Sequence, residues 1–252
     1  MYDCTRHDQE GNLKFTVPCN GDGVYMGEYL EYHKTGKLWK RMFYVNGVAE
    51  DTTRLFFYKT GDVLRETPMN EGKRHGEMRT FREDGSVEEL VTFVDDKKSG
   101  PSITYYKNGI PKEIFTFEAN RMTGPYFFFT EDSVKLVEGE YYDGSKYGKW
   151  QHFDYEGNPL AIFTYYNNFK QGGFSVFNPE GMPYLSGNFA RDLLDGDLNY
   201  YDKEGSIVKT EAWTGGNTQV PSGGKSLKDG KAIIPIDVRQ RVYIMQDTVW
   251  IQ

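Results

Sequence analysis

The feature that most constrains this sequence is a glycine that returns every 24 residues. Its consecutive positions are Gly76, Gly100, Gly124, Gly148, Gly172 and Gly196. A second series follows nine residues later, at Gly61, Gly85, Gly109, Ser133, Gly157, Gly181 and Gly205. Self-similarity at a fixed period of this kind is the signature of a repeat architecture. The chain is therefore predicted to copy one structural unit along its length.

The series extends toward the N-terminus with one irregularity. Thr52 takes the first-glycine slot before Gly61, and one extra residue separates Thr52 from the preceding pair, Gly27 and Gly36. This gives eight repeats from Gly27 onward. A partial repeat precedes them, with Gly11 as its turn glycine.

Two aromatic columns accompany the glycines. Five residues after the first glycine stand Tyr32, Phe57, Phe81, Tyr105, Phe129, Phe153, Phe177 and Tyr201. Twelve residues further on stand Tyr44, Met69, Phe93, Phe117, Tyr141, Tyr165, Phe189 and Trp213. Turn signals such as "EDGS" and "YEGN" lie between the columns, and their glycine supplies the positive φ of a tight hairpin. Because a lone hairpin is marginal in water, neighbouring hairpins are predicted to stack through these rings.

The stretches "YDGSKYGKWQHFDYEG" and "NEGKRHGEMRTFREDG" resemble MORN repeats in their bacterial variant form. The resemblance covers residues 27 to about 219. Together with the repeat it predicts an all-β fold: an elongated, single-layer, twisted antiparallel sheet of about eight to nine stacked hairpins. It also implies a binding or scaffolding module without catalysis. Bacterial relatives include antitoxin or immunity-like proteins, and eukaryotic relatives are linked to membrane-proximal scaffolding and to lipids.

Repeat arrays need atypical terminal units to shield their open ends. We predict an N-terminal partial or capping repeat at 1–26, eight MORN-like repeats at 27–219, and a loop plus a C-terminal β cap at 220–252. For residues 225–252 a donated edge strand or a small separate domain remain alternatives.

The two cysteines, Cys4 and Cys19, flank the turn at Gly11. On a hairpin they would face the same side, either directly opposite or one step diagonal. A direct pairing would bring them near disulfide distance, and a diagonal pairing would strain the bond. A disulfide and two free buried thiols both remain open. An exported, periplasmic or cell-envelope location is favoured if the bond forms, and a cytoplasmic one otherwise.

Charge and motifs exclude several function classes. The net charge of -7 and pI of about 5.3 argue against nucleic-acid binding. We expect no membrane span, since no run of 18 apolar residues occurs, and no signal peptide. Most carboxylates stand in turns, and the four histidines, including His152, have no metal-ligand spacing. We therefore predict no enzyme activity, metal or cofactor.

In a repeat protein the recurring columns hold the stack and the variable columns carry recognition. Columns that vary between repeats supply the predicted partner contacts: Phe56, Tyr58, Tyr106, Phe128, Tyr142, Trp150, His152, Tyr166 and Tyr200. A two-sided sheet with a second core is the alternative explanation of these residues. The alignment column of Gly139 holds a glycine in only one other repeat, at Gly187. Gly139 is therefore predicted to be incidental.

The leading functional hypothesis is a non-catalytic scaffold for protein–protein interaction, with an antitoxin or immunity role as one form. The alternative is a glycan- or lipid-binding module of the cell envelope that uses surface aromatics as a stacking platform.

Overall fold

The computed structural model describes residues 2–57 and 59–218, and these residues form strands and no helix. The chain divides into two units, Met1–Arg121 and Met122–Gln252. Within each unit, consecutive strands pair antiparallel into an open sheet of hairpins. The prediction of an all-β repeat fold built from stacked antiparallel hairpins is confirmed. In the described part of the chain, no helix is long and apolar enough to cross a membrane.

The first unit contains the N-terminal hairpin and four further hairpins. Its strands are β1 (Tyr2–His7), β2 (Leu13–Cys19), β3 (Gly27–Tyr32), β4 (Leu38–Val45), β5 (Val48–Phe56), β6 (Val63–Asn70), β7 (Lys73–Arg74), β8 (Gly76–Phe81), β9 (Val87–Val94), β10 (Lys97–Tyr105) and β11 (Pro111–Glu118). The short β12 (Arg121–Met122) stands where the units divide.

The second unit contains four hairpins in its described part. Its strands are β13 (Gly124–Phe129), β14 (Lys135–Tyr142), β15 (Ser145–Phe153), β16 (Pro159–Tyr166), β17 (Phe169–Phe177), β18 (Pro183–Ala190), β19 (Leu193–Leu194), β20 (Gly196–Tyr201), β21 (Ile207–Thr214) and β22 (Asn217–Thr218). The predicted C-terminal β cap at 220–252 lies outside the described residues.

In several hairpin turns the side chain of the first residue accepts hydrogen bonds from the backbone of the turn. In the β15–β16 turn, Asp154 accepts hydrogen bonds at Oδ1 from the backbone N–H groups of Glu156 (3.0 Å) and Asn158 (2.7 Å). Gly157 closes the turn with φ of 86°. Because a left-handed φ costs glycine nothing, glycine recurs at this position. The carboxylates in these turns therefore have a structural role.

The first glycine of each repeat lies at a local break in strand pairing. Between β14 and β15 the register shifts between Glu138 and Glu140, opposite the segment that contains Gly148. Gly148 has φ of 68°, and its counterpart Gly172 has φ of 100°. One residue of β14 here stands against three of β15, so two extra residues are accommodated in an enlarged β-bulge. The 24-residue glycine therefore marks a bulge.

The structure corrects the alignment of the second full repeat. Asp51, with φ of 60°, takes the first-glycine slot, where Thr52 was predicted. Asp51 pairs with Met69, as Gly76 pairs with Phe93. The extra residue lies in the following turn, where the Gly61 N–H bonds to the carbonyl four residues earlier. Aspartate tolerates a left-handed φ better than a β-branched threonine does. The residue at the first-glycine position is therefore the one that can adopt this conformation, Asp51.

A cation covers the second aromatic column in four repeats. The Arg74 guanidinium lies 4.3 Å from the Phe93 ring centroid, and the Lys98 Nζ lies 5.0 Å from that of Phe117. In the second unit Lys146 and Lys170 cover Tyr165 and Phe189 in the same way. Each cation stands two residues before the first glycine. Cation–π contacts therefore cover one ring face in each of these four repeats.

Cys4 and Cys19 are joined by a disulfide between β1 and β2. The register is the diagonal one, because Cys4 stands opposite Val17 and Cys19 stands opposite Tyr2. The Cα–Cα distance is 5.8 Å, which lies within the usual range of about 4.4–6.8 Å. The diagonal position therefore accommodates the bond, contrary to the expectation of strain.

Removing the disulfide with paired Cys4→Ser and Cys19→Ser substitutions is expected to destabilise the N-terminal hairpin by about 3 kcal/mol, the loop-closure value for a loop of this length. Hydrogen exchange of the β1 and β2 amides measures the loss. Amides of β8 and β9 serve as the internal control and should keep their protection. Unchanged protection in β1 would contradict the prediction.

Candidate functional site

Two of the predicted partner contacts are core residues. Trp150 is 1% exposed, and its indole stacks on Tyr126 and meets Tyr141 edge-on, each at 5.2 Å between centroids. His152 is 2% exposed and packs against the Phe163 ring. We therefore correct their assignment: neither side chain has surface to offer a partner while the sheet is folded.

Gly139 is not incidental, because the Trp150 indole lies directly on it. A Cβ built at Gly139 would come within 2.3 Å of the indole ring. Gly187 has a similar relation to Phe174, whose ring would lie 2.9 Å from an added Cβ. In both repeats a glycine therefore makes room for a large ring on the adjacent strand.

Four other predicted contacts are half-buried: Phe56, Tyr106, Phe128 and Tyr200. The corrected alignment moves Phe56 into the recurring aromatic column. Tyr200 donates a hydrogen bond from its hydroxyl to Glu211 Oε2 at 3.0 Å. Burial, reinforced by this carboxylate, raises the pKa of Tyr200 to about 12. Tyr58 lies outside the described residues.

The remaining two predicted contacts, Tyr142 and Tyr166, are well exposed, at 69% and 61%. Tyr147 lies between them, with ring centroids 5.8 Å from Tyr142 and 5.6 Å from Tyr166. Phe169 stands opposite Tyr166 in the β16–β17 pair and is 48% exposed. These four residues form what we call the connector row. By strand alternation the row lies on the face opposite Tyr141.

The tyrosines of the connector row line a groove of about 470 Å³. Asp143, Ser145 and Asn167 supply its polar lining. The site thus combines three broad ring faces with a carboxylate, a hydroxyl and an amide. Rigid tyrosines beside small polar groups are the composition of surfaces that recognise other molecules.

The connectors that carry the row are fixed by hydrogen bonds between repeats. Asn168 accepts at Oδ1 from the Lys146 N–H (2.8 Å) and donates from Nδ2 to Ser145 Oγ (3.1 Å). The Asn168 N–H also donates to the Lys146 carbonyl at 3.2 Å. Asp143 and Asn167 hold left-handed φ values of 49° and 51° at the two turns. The groove is therefore organised before any ligand arrives.

Sequence reasoning missed Tyr147 and Phe169. Both lie in the connectors, which were treated as spacers between strands. A signal was present, since the connector "YYNNFKQG" has aromatics on both sides of its turn. In the first unit the equivalent exposed positions hold Val45, Val48 and Val94. The aromatic row is therefore a property of the second unit.

Among the described residues, no group of three or more His, Cys, Asp or Glu side chains is placed to hold a metal ion. The connector row contains no such set and has the features of a recognition surface.

Comparison with solved structures gives weak likenesses. A complex of TcdB2, TccC3 and Cdc42 matches at 11% identity over 83% of this chain and 14% of that one, with a TM-score of 0.24. A TarM mutant from S. aureus, bound to fondaparinux, alpha-GlcNAc-glycerol and UDP, matches at 14% identity over 53% of this chain and 21% of that one, with a TM-score of 0.16. A TcdB2-TccC3-TEV structure matches at 8% identity over 88% of this chain and 15% of that one, with a TM-score of 0.21. The chain thus spans less than a quarter of the length of each.

No curated protein matches the chain. The family model of the MORN repeat variant matches residues 27–46 and 74–95. These segments cover β3 with β4 and the Arg74 cation with β8 and β9. The same hairpin and bulge glycine return at the 24-residue interval in other repeats, and the cation is present in four repeats in all. Over these two segments the chain thus matches the MORN repeat variant.

Proposed function

We propose that this chain is a non-catalytic protein-binding repeat protein whose connector row contacts its partner. The observation that carries the proposal is the exposure of Tyr142, Tyr147 and Tyr166 around one groove. Tyrosine anchors supply large contact area at low cost in side-chain entropy. Interface hot spots are enriched in such residues. The fixed connectors further reduce the entropy lost on binding.

Replacing all three tyrosines with serine is expected to weaken capture of the partner by about 30-fold or more, since hot-spot losses reach about 2 kcal/mol. Full-length protein serves as bait, and bound protein is quantified at several bait concentrations. The matched control is Tyr155→Ser, which removes another exposed tyrosine of the same unit outside the groove lining. Equal capture by the triple variant and the control would refute the proposed surface.

An antitoxin or immunity role is one concrete form of this function. An acidic repeat surface, with a net charge of -7, suits the covering of a basic active site. In cells that express a toxic protein encoded beside this gene, co-expression of the unmodified chain is expected to restore growth. Co-expression of the triple serine variant is expected not to restore it. Growth that is not restored by the unmodified chain would count against this form.

A glycan of the cell envelope is the second candidate ligand. The groove offers ring faces for stacking and the polar groups of Asp143, Ser145 and Asn167 for hydroxyls. A glycan array and liposomes of defined composition separate this candidate from a protein partner. Binding to a glycan or lipid that is lost in the triple variant, without any protein capture, would replace the protein hypothesis.

We further propose that the protein works in an oxidising compartment. The disulfide between Cys4 and Cys19 supports this location, since such bonds persist outside the reducing cytosol. Alkylation of protein taken directly from its host, followed by mass measurement, tests it. Two cysteines alkylated without prior reduction would contradict the proposal.

A further inference from the structure

Two tyrosines of the connector row lie side by side across the β15–β16 hairpin. The Tyr147 ring centroid lies 5.6 Å from that of Tyr166, and the two ring planes meet at 51°. The first printed pair of this ladder joins Gly148 with Tyr165, so Tyr147 and Tyr166 continue its register by one residue. Residues directly opposite each other have Cβ atoms about 4.5–5.5 Å apart. The backbone therefore keeps these two rings next to each other.

Tyr142 is the other ring neighbour of Tyr147, but the backbone holds it less closely. Its centroid lies 5.8 Å from that of Tyr147. In the β14–β15 pair, however, Tyr147 stands opposite Glu140, two residues before Tyr142. Such diagonal neighbours are about 7–8 Å apart along the backbone, so their contact depends on side-chain reach. Tyr166 is therefore the partner that the strand register itself provides for Tyr147.

Tyr147 and Tyr166 are also open to solvent, with exposures of 43% and 61%. Access matters because adjacent phenol rings can be joined by oxidation. The oxidant must reach each ring, and water must accept each phenolic proton. Holding the two rings together turns the joining step into an effectively unimolecular one. The pair therefore meets both the proximity and the access requirement of oxidative coupling.

Other close tyrosines are less accessible. Tyr25, Tyr29 and Tyr44 have ring centroids 6.3, 5.5 and 5.9 Å apart, but all three rings are half-buried. Burial raises the pKa of Tyr29 and of Tyr44, so these phenols lose their proton less readily. Tyr126 lies 5.8 Å from Tyr141 but is only 8% exposed. These pairs therefore have proximity without access.

The chain has no thiol that would compete with the phenols for an oxidant. Its two cysteines, Cys4 and Cys19, are joined in the disulfide. Free thiolates are the side chains that oxidants attack first, and they also repair phenol radicals. In the oxidising compartment proposed above, reducing thiols are scarce as well. A radical formed on an exposed tyrosine therefore persists until it meets another ring.

We propose that Tyr147 and Tyr166 are a site of oxidative cross-linking, in which a carbon–carbon bond forms between one Cε atom of each ring. The oxidant class is hydrogen peroxide acting through a haem peroxidase. Each phenol loses one electron and its hydroxyl proton, and the two radicals combine at Cε. The Cε hydrogen of each ring then moves, as a proton, to the oxygen of the same ring. The two electrons and two protons released reduce one hydrogen peroxide to two water molecules.

The bond joins β15 to β16 at the connector end of their hairpin, next to the groove. This modification goes beyond the proposed binding function and does not depend on the identity of a partner. It converts a contact between two side chains into a covalent closure of the hairpin.

The test treats the full-length chain, at micromolar concentration, with hydrogen peroxide and a haem peroxidase. Dityrosine is detected by its blue fluorescence in the monomer band of a denaturing gel, which separates it from links between chains. Digestion and mass spectrometry then identify the joined peptides. The monomer band is expected to become fluorescent, and the main linked product is expected to contain Tyr147 and Tyr166.

Phenylalanine variants make the test specific, because they keep the ring and remove only the phenol. Tyr147→Phe and Tyr166→Phe are each expected to lower the fluorescence of the monomer band by at least about fivefold, since the remaining tyrosines lose the advantage of a fixed neighbour. Tyr142→Phe and Tyr155→Phe remove other exposed tyrosines of the same unit and should leave the yield unchanged.

Three results would overturn the proposal: dityrosine confined to covalent dimers, a main linked product that lacks Tyr147 or Tyr166, or an undiminished yield from Tyr147→Phe. None of these results bears on the proposed function, because partner capture is measured without an oxidant. Conversely, loss of partner capture in the triple serine variant says nothing about the cross-link.

Discussion

Replacing Trp150 with alanine is expected to lower the free energy of unfolding of the second unit by about 3–5 kcal/mol, the usual cost of truncating a buried tryptophan. The indole is 1% exposed and packs on Tyr126 and Tyr141. Its Nε1 donates a hydrogen bond to the Glu140 carbonyl at 3.2 Å, which the substitution also removes. Backbone pairing holds the neighbouring strands apart, so the cavity closes only in part.

Residue-resolved hydrogen exchange during urea titration is the suitable measurement, because a repeat array need not unfold in one step. Protection should fall most in Lys135–Tyr142 and Ser145–Phe153. Tyr142→Ala is the matched control, since it removes a 69% exposed ring from the adjacent strand and should cost no more than about 0.5 kcal/mol. Equal losses for both variants would show that the indole is not a core residue.

Substituting Gly139 with alanine is expected to destabilise the same repeats by about 1–3 kcal/mol or more, through overpacking. The added Cβ would lie 2.3 Å from the Trp150 ring, far inside van der Waals contact. The ring is enclosed by other aromatics, so it cannot withdraw freely. Thermal or urea unfolding followed by the tryptophan fluorescence change measures the loss.

Gly173→Ala provides the control for the Gly139 substitution. It places a Cβ on β17, where the nearest atom is 3.7 Å away, an ordinary contact. Its expected effect is neutral or slightly stabilising, since alanine restricts the unfolded chain more than glycine does. Combining Gly139→Ala with Trp150→Ala should cost less than the sum of the two. Strict additivity would contradict direct contact between Gly139 and the indole.

The repeat and its hairpins were predictable because both depend on local conformation. A left-handed turn residue, such as Gly157, and a bulge residue, such as Gly148, leave a visible glycine at a fixed interval. Where a residue other than glycine takes the same conformation, the 24-residue interval assigns the wrong residue to the bulge. Asp51 replaced the glycine while Thr52 held the expected position, and only the pairing with Met69 shows the true register.

The face on which a variable residue lies was not predictable in the same way. Trp150 and His152 differ from their counterparts in other repeats, which suggested recognition. Trp150 varies because a large ring on one strand is matched by a glycine on the next, here Gly139. A single column cannot reveal such compensation, whereas the pair Gly139 and Trp150 does.

The connector row was only half predictable. Tyr142 and Tyr166 end strands and so belonged to aligned columns, whereas Tyr147 and Phe169 begin strands after a turn. Their placement beside one another depends on cross-repeat bonds from Asn168, which recur at Asn120 and Asp192, whereas the aromatic residues themselves do not recur. Turn residues with side-chain amides beside exposed aromatics are the signal to seek in related sequences.

The six-residue turn from Phe57 to Asp62 indicates where this architecture accommodates foreign sequence. That turn contains one residue more than its counterparts, and both flanking strands keep their pairing. The opposite ends of the hairpins are tied to the preceding repeat at fixed 22-residue separations, for example by Asn120 to Lys98. Peptide epitopes grafted into hairpin turns should therefore be displayed without loss of the array, whereas grafts into the connectors should interrupt it.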